Sequence, residues 1–335
     1  MIEIFFEIQV FALNVNVTTA NTSGNHLTPE IKTFYEKDLI ELAEAELIHD
    51  QFADKYPIPK GAGKTIEFRQ FAALPKALTA LTEGVTPNGQ YIDVSTLTAE
   101  VSQYGGFVTL SDMLELAAID PMIVRATRLI ASQAGRTLDT VTRNAITAGT
   151  NVMYAPAGST AVTARTGVAA TSLMTLDVIR KARLQLRRYN APTFDGAYVA
   201  IIHPDVALDV RQLSGWIEVV KYGAPERIYK GEIGMIEGVR FIENTEARIF
   251  AQAGASSVNV YATLFVGAGA YGTTEITGGG LQHFVKQKGS AGTEDPIDQR
   301  STVGWKATKV SKILVPEYLL RVESSASLES TAIAN

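Results

Sequence analysis

The stretch DPMIVRATRLIASQAGRTLDTVTRNAITAG (Asp120–Gly149) dominates the middle of the sequence and predicts one long helix. Proline in the first turn and glycine after the last turn are typical of helix ends. At about 100° per residue, six apolar side chains fall on one face, which we expect to pack against a core. These side chains are Ile123, Ile130, Ala134, Leu138, Val141 and Ala145.

The opposite face of this helix is basic. Asp139 lies in the same stripe and is expected to pair with Arg143, four residues further on. Arginine side chains neutralise phosphates without reading base sequence, so the stripe is a candidate contact for DNA. The candidate DNA-facing residues are Arg125, Arg128, Arg136 and Arg143.

A second helix is predicted from Thr28 to Lys55, where a capping hydroxyl, proline and an acid open a helical apolar pattern. Residues 30–55 hold eight acidic residues and three lysines, a balance of −5 that equals the formal net charge of the whole chain. Two interpretations stay open: a solvated helix face, or docking on a basic neighbour. Glu41 and Glu44 are candidate electrostatic contacts for the second.

Apolar residues alternate from Ile2 to Val17 with one change of register, which predicts an extended arm or edge strand. Such an apolar strand is expected to be covered by another surface. A secretory signal would need a basic flank, yet the first lysine is Lys32. The run is also too short to cross a bilayer, so we expect a soluble chain with no membrane contact.

A projecting ribbon is predicted between the two helices. Residues 65–71 have the pattern of a strand, and strand-like sequence returns from Tyr91 to Leu110. Roughly 20 irregular residues rich in Thr, Gly and Pro separate them, which is long for a loop inside a compact domain.

The second half mixes helices and strands. A helix is predicted over 173–189, a buried strand over 197–202, and a turn at His203–Pro204–Asp205 in which Asp205 caps the next helix. Short strands follow over 231–247 and 258–266, and a terminal strand pair over 305–322. This order lacks βαβ regularity and favours the α+β class. The 173–189 helix carries five cations that are candidate inter-subunit contacts: Arg180, Lys181, Arg183, Arg187 and Arg188.

Composition excludes several kinds of chemistry. The 335 residues include no cysteine, so disulfides, zinc–thiolate sites, iron–sulfur clusters and thiol nucleophiles are ruled out. The four histidines are scattered, without the spacing of metal ligands. Apolar residues make up 46% and charged residues only 19%, which suggests a folded chain with surface buried against partners.

Two glycine motifs resemble nucleotide-binding motifs, but the sequence around each of them does not fit such a site. Gly61–Ala–Gly63–Lys64–Thr65 lacks the first glycine of a phosphate-binding loop and runs into a predicted strand. Gly267-x-Gly269-x-x-Gly272 is followed by more strand-like sequence and not by a helix. No G-x-S-x-G elbow is present either. We therefore expect neither a cofactor nor a catalytic site.

The order of these elements resembles the HK97-type fold of tailed-phage major capsid proteins. Three stretches resemble the N4-like branch of that family. They are YVAIIHPDVALDVR (Tyr198–Arg211), GEIGMIEGVRFIENTEA (Gly231–Ala247) and RSTVGWKATKVSKILVPEYLLRVES (Arg300–Ser324).

The resemblance implies a division of the chain. An N-terminal arm with the acidic helix would cover residues 1–60, and an E-loop, the projecting ribbon, 61–111. A P-domain with the spine helix would cover 112–165 and an A-domain 166–275, before residues 276–335 return as P-domain strands and a tail.

The resemblance also implies a function: pentamers and hexamers of this chain would form an icosahedral shell around double-stranded DNA. The implied partners are other copies of the chain, scaffolding, portal and decoration proteins, and packaged DNA on the inner face. The chain would reside in the virion, and in the host cytoplasm during assembly. An encapsulin-like compartment of the same fold and a soluble enzyme with an unrecognised site stay open as alternatives.

Overall fold

The computed structural model describes residues 15–16, 48–71, 74–81, 83–84, 86, 88–117, 122–218, 231–289 and 295–328. They divide into two compact units. Unit 1 comprises residues 1–44, 104–134 and 281–307, and unit 2 comprises 45–103, 135–280 and 308–335.

Four α-helices lie within the described residues. The long helix α2 agrees with the predicted bounds, and α3 begins where the Thr175 hydroxyl accepts a hydrogen bond from the Val178 backbone N–H, an N-cap. The helices are α1 (Asp112–Ala117), α2 (Met122–Thr147), α3 (Leu176–Arg188) and α4 (Pro204–Arg211).

The described strands include both the predicted ribbon and the predicted buried strands. Their bounds are β1 (Val15–Asn16), β2 (Asp54–Lys55), β3 (Thr65–Phe71), β4 (Val94–Glu100), β5 (Ser102–Ser111), β6 (Val152–Tyr154), β7 (Tyr198–Ile202), β8 (Ile217–Glu218), β9 (Glu232–Ile236), β10 (Val239–Glu243), β11 (Ile249–Phe250), β12 (Val260–Val266), β13 (Tyr271–Thr274), β14 (Gln282–Lys286), β15 (Arg300–Ile313) and β16 (Leu319–Ser324).

Unit 1 is built on strands that neighbour β15. Antiparallel β14 pairs with the first half of β15, from Gln282 opposite Lys306 to Lys286 opposite Thr302, and β5 is also a neighbour. Strand β1 pairs in parallel with β5 and lies at the edge of this sheet, which accords with the predicted arm or edge strand. The rest of the predicted arm, up to residue 47, is outside the described residues.

Unit 2 contains a mixed sheet in the order β6-β16-β12-β7-β10-β9-β8, with β11 paired to β12. Strands β7 and β10 are parallel, as are β16 and β6, whereas β12 runs antiparallel to both β7 and β16. All seven residues of β12 are buried, which is why its sequence is apolar apart from Thr263.

Both faces of this sheet are covered, because alternate side chains of each strand point to opposite sides. On β7, Tyr198, Ala200 and Ile202 join a cluster with helices α3 and α4. Val199 and Ile201 join a second cluster with Ile48, Phe52 and Ile146. The segment after residue 47 and the end of α2 therefore form the second cover.

The predicted acidic helix does not extend to residue 55. Residues 49–52 are turns, and β2 (Asp54–Lys55) pairs in parallel with β13. Tertiary pairing replaces helical hydrogen bonds here because Phe52 and His49 are buried within unit 2. Residues 28–47 of the predicted helix lie outside the described residues.

The terminal strands are correctly located, but they do not form the predicted pair with one another. Strand β15 pairs with β13 and β14, whereas β16 pairs with β6 and β12. Strand pairing is set by the whole fold, so sequence periodicity locates a strand without identifying its partner.

The two glycine motifs form turns that lead into strands. Gly61 and Gly63 have positive φ just before β3, and residues 267–270 connect β12 to β13, which contains Gly272. In the described structure neither motif opens a helix that could hold a phosphate at its amino end.

The turn at His203 has a different cap from the predicted one. Nδ1 of His203 accepts a hydrogen bond from the Asp205 N–H (3.2 Å), while Asp205 accepts one from the Tyr261 hydroxyl (2.7 Å). Burial lowers the pKa of His203, which favours the neutral ring that this acceptor role requires.

Candidate functional surfaces

The basic stripe of α2 is partly exposed. Arg128 is exposed, and Arg125 is partly buried. The Arg136 side chain is 55% exposed, and its Nε lies 2.9 Å from Glu246 Oε1. These three residues keep at least part of their surface available to an anion.

Arg143 contradicts the prediction, because its side chain is only 2% exposed. Its Nη1 donates to the Glu246 carbonyl oxygen at 2.7 Å, and its Nε and Nη2 donate to Asn144. Burial, and then the positive charge of Arg248, lower the pKa of Arg143. The prediction that Arg143 faces DNA is therefore wrong: the last turns of α2 pack their polar side against the segment near Glu246.

Asp139 also differs from its predicted role, since it is fully buried and pairs with His49 instead of Arg143. Its Oδ2 lies 2.7 Å from His49 Nδ1, and its Oδ1 accepts from the His49 backbone N–H at 2.9 Å. Asn244 Nδ2 donates to the same carboxylate at 3.1 Å. Burial alone would raise the pKa of Asp139, but the contacts with His49 and Asn244 outweigh it and lower that pKa.

The polar network continues on the other side of the segment at residues 48–55. Asp50 forms an ion pair with Lys309 and accepts a hydrogen bond from the Thr142 hydroxyl at 2.9 Å. The buried Tyr271 hydroxyl donates to the carbonyl oxygen of His49. This network, which we call the buried latch, ties the segment to α2, β13 and β15. It includes His49, Asp50, Asp139, Thr142, Asn244, Tyr271 and Lys309.

The five cations of α3 divide into paired and unpaired groups. Arg180 Nη2 lies 2.8 Å from Glu237 Oε1, and Arg183 Nη1 lies 3.7 Å from the other oxygen of the same carboxylate. Lys181 pairs with Asp177. Arg187 and Arg188 are exposed, and neither forms an ion pair with any residue that the structure describes. Their proposed counterparts, Glu41 and Glu44, lie outside the described residues.

Strands β3 and β4 form the predicted ribbon, paired from Thr65 opposite Glu100 to Phe71 opposite Val94. The loop that joins them carries large exposed apolar side chains. Leu78 is 86% exposed and Tyr91 is 92% exposed. The loop also exposes Leu74, Leu81 and Ile92. Several large apolar side chains exposed on one loop favour contact with another protein.

The described residues contain no group of three histidine, aspartate or glutamate side chains placed to hold a metal ion. Among the helices that the structure describes, none is long and apolar enough to span a membrane.

A subunit whose ribbon loop exposes several large apolar side chains has a surface suited to contact with another protein. The family comparison agrees: the model of the phage capsid protein family matches residues 94–322, more than half of the chain. The chain belongs to the phage capsid protein family. It is a structural protein of the virion shell and not an enzyme.

Solved capsid structures have the same fold. The capsid protein of Ralstonia phage GP4 aligns with 94% of this chain and 100% of its own, at a TM-score of 0.73 and 16% identity. The capsid protein of cyanophage P-SCSP1u aligns with 92% and 98% of the two chains, at a TM-score of 0.62 and 12% identity. The head protein of Helicobacter pylori bacteriophage KHP40 aligns over the same fractions, at a TM-score of 0.57 and 11% identity. No curated protein sequence matches the chain.

Proposed function

We propose that this chain is the major capsid protein of a tailed phage, with the HK97-type fold and of the N4-like branch. Pentamers and hexamers of the chain would assemble into an icosahedral shell that encloses double-stranded DNA. The observation that carries this proposal is the exposed apolar loop of the ribbon, at Leu78 and Tyr91. A lone subunit would leave this surface in water, whereas a neighbouring copy can cover it.

The proposal keeps the five-part division of the chain. Residues 1–60 act as the N-terminal arm, 61–111 as the E-loop, and 112–165 as the P-domain with α2 as its spine. Residues 166–275 form the A-domain at the capsomer centre, and 276–335 return to the P-domain and the tail.

We place the inner surface of the shell along the exposed part of α2. Arg125, Arg128 and Arg136 would contact packaged DNA without base specificity, since phosphate contacts carry no sequence information. Arg143 is excluded from this group because its side chain is buried. Scaffolding, portal and decoration proteins are the other expected partners, met in the host cytoplasm during assembly.

Expression of the full chain should yield closed particles in negative-stain electron micrographs. Their ratio of absorbance at 260 and 280 nm should rise when DNA is packaged. Closed particles that hold protein cargo without nucleic acid would favour the encapsulin-like alternative. A monodisperse monomer at high concentration under every salt condition would overturn both shell assignments and leave the enzyme alternative.

The acidic arm is proposed to dock on α3 of a neighbouring copy, where Arg187 and Arg188 are exposed. The double substitution Glu41→Lys and Glu44→Lys should reduce the yield of shells, more strongly at low salt, because salt screens the new repulsion. Adding Arg187→Glu and Arg188→Glu should restore assembly. Unchanged yield in the first variant, measured by sedimentation, would count against this contact.

A further inference from the structure

The ribbon loop, which joins β3 to β4, contains the dipeptide Asn88–Gly89. No other asparagine in the sequence is followed by glycine. Both residues are exposed, as is Gln90 after them. Among the residues that the structure describes, none forms a hydrogen bond with the Asn88 side chain or with the Gly89 backbone N–H. No competing hydrogen bond therefore keeps these two groups apart.

An asparagine side chain can react with the backbone of the residue that follows it. The Gly89 nitrogen, deprotonated by hydroxide, attacks the side-chain carbonyl carbon of Asn88. A new C–N bond closes a five-membered imide, and the side-chain nitrogen takes a proton from water and leaves as ammonia, which regenerates hydroxide. Water then opens one of the two imide C–N bonds and gives aspartate or isoaspartate. The net reaction consumes one water and releases one ammonia, so it needs no oxidant or reductant.

Glycine at position 89 favours this attack. Because it has no Cβ, its backbone reaches the torsion angles that bring its nitrogen close to the Asn88 side chain. Gly89 does not have a positive φ, and no atom of the described structure lies within 4 Å of the position that a Cβ would occupy. Alanine therefore fits the folded loop at this position, while its methyl group hinders the attack. Gly89→Ala separates the chemistry of the dipeptide from the structure of the loop.

Asn151 shows how the fold protects an asparagine elsewhere in unit 2. Its Nδ2 donates to the Leu319 carbonyl oxygen at 3.0 Å, and its Oδ1 accepts from Gln185 at 2.7 Å. The residue that follows it, Val152, is branched at Cβ and lies in β6. These contacts fix the side-chain amide, so Asn151 is an internal control for Asn88.

We propose that Asn88–Gly89 is a site of spontaneous deamidation, and that the carboxylate formed there weakens assembly of the subunit. The second part rests on the proposed function, because it takes the ribbon loop as a contact between copies. Tyr91, which is 92% exposed, and Ile92, which is 65% exposed, lie shortly after the dipeptide. A carboxylate beside them would lose water when a neighbouring copy covers the loop, and burial of an unpaired charge is unfavourable.

The reaction would distinguish free subunits from assembled ones. In a free chain the dipeptide is open to water and hydroxide, so the carboxylate accumulates with time. In a shell, a neighbouring copy that covers the loop would exclude water and restrict its backbone. Chains that stay unassembled would lose their ability to join a shell, whereas chains that assemble early would keep the amide.

The first test measures the reaction in the full-length, unassembled chain kept at mildly alkaline pH. Cleavage after Glu83 and Glu100 isolates the peptide 84–100, in which mass spectrometry detects the exchange of NH₂ for OH. Conversion of Asn88 should increase with time and with pH, while Asn151 stays unmodified. Gly89→Ala should lose most of the conversion. An unmodified Asn88, or equal conversion in the parent and in Gly89→Ala, would overturn the proposal.

The second test measures assembly by sedimentation. Asn88→Asp carries the charge of the product and should raise the concentration needed for assembly about tenfold, which corresponds to about 1.4 kcal/mol. Asn88→Gln is the matched control, because its longer side chain keeps an uncharged amide that does not close the five-membered ring. It should assemble like the parent both before and after ageing. Parental assembly by Asn88→Asp would overturn the effect on assembly, and thermal unfolding shows that each variant is folded.

Micrographs of the fresh parental chain separate this inference from the proposed function. Absence of particles from fresh chains would contradict the shell function, while the peptide masses still decide whether Asn88 is a deamidation site. If fresh and aged parental chains form particles equally well although Asn88 has been converted, the shell function stands and the effect of deamidation on assembly is wrong.

Discussion

Asp139→Ala should lower the free energy of unfolding of the subunit by about 3 kcal/mol or more, because it removes a buried carboxylate that accepts three hydrogen bonds. The fully buried carboxylate accepts hydrogen bonds from the His49 backbone, the His49 ring and Asn244. Its removal would leave three donors without an acceptor, and each buried unsatisfied group costs about 1–3 kcal/mol. Urea denaturation of the unassembled chain, followed by tryptophan fluorescence, measures the loss.

The matched control is Asp177→Ala, which removes an exposed aspartate that pairs with Lys181 on α3. A surface pair of this kind contributes about 0–1 kcal/mol, so the control should stay close to the parent. Equal effects of the two substitutions would show that the buried latch does not stabilise the subunit.

The Asp139 carboxylate also makes the stability of the subunit depend on pH. Because the pKa of Asp139 is lower in the folded chain than in the unfolded one, its stabilisation is complete above the unfolded value of about 3.9. It is lost as pH falls through the lower, folded value. Asp139→Asn should therefore unfold with a weaker pH dependence below about pH 4, as measured by the urea midpoint.

The second large effect is expected at the ribbon loop. The double substitution Leu78→Ser and Leu81→Ser should raise the concentration needed for assembly about a hundredfold or more. Burial of one leucine against a neighbour is worth about 1.5–3 kcal/mol, and each 1.4 kcal/mol is a tenfold change in an equilibrium constant. Both side chains are exposed in the isolated subunit, so its own stability should change by less than about 0.5 kcal/mol.

Size-exclusion chromatography combined with negative-stain micrographs measures this assembly threshold. The control is Leu208→Ser, which removes an exposed leucine on α4 and should assemble like the parent. Shells formed by the ribbon variant at the parental concentration would contradict the assignment of the loop as an inter-subunit contact.

The sequence predicts those elements whose periodicity is uninterrupted. The bounds of α2 and the strand at 65–71 follow from local patterns of helix and strand. The ribbon follows from two strand patterns with an unusually long irregular segment between them. Each of these features depends on residues that are close together in the sequence, so local patterns are sufficient to predict it.

The chemistry of the buried latch could not be predicted in the same way. A helical wheel places Asp139 and Arg143 on an outer stripe, but the side of α2 that is covered depends on the segments around His49 and Asn244. These segments lie 90 and 105 residues from Asp139 along the chain. The sequence offers one hint. An aspartate, Asp139, lies among the arginines of the polar face of α2, and a histidine, His49, lies in the acidic segment. A pocket lined by Arg165, Arg248 and Arg321 is equally non-local, since these residues come from three separate segments.

The position of β16 in the sheet of unit 2 determines which truncated chains can fold. This strand, Leu319–Ser324, lies between β6 and β12 inside the large sheet of unit 2, and it carries Glu323 into contact with Arg165. The sheet of unit 2 therefore stays incomplete until residues 319–324 have left the ribosome. Chains that stop before Leu319 would lack the strand that joins β6 to β12. We expect such truncated chains to be excluded from the growing shell, because the sheet of unit 2 cannot be completed without β16.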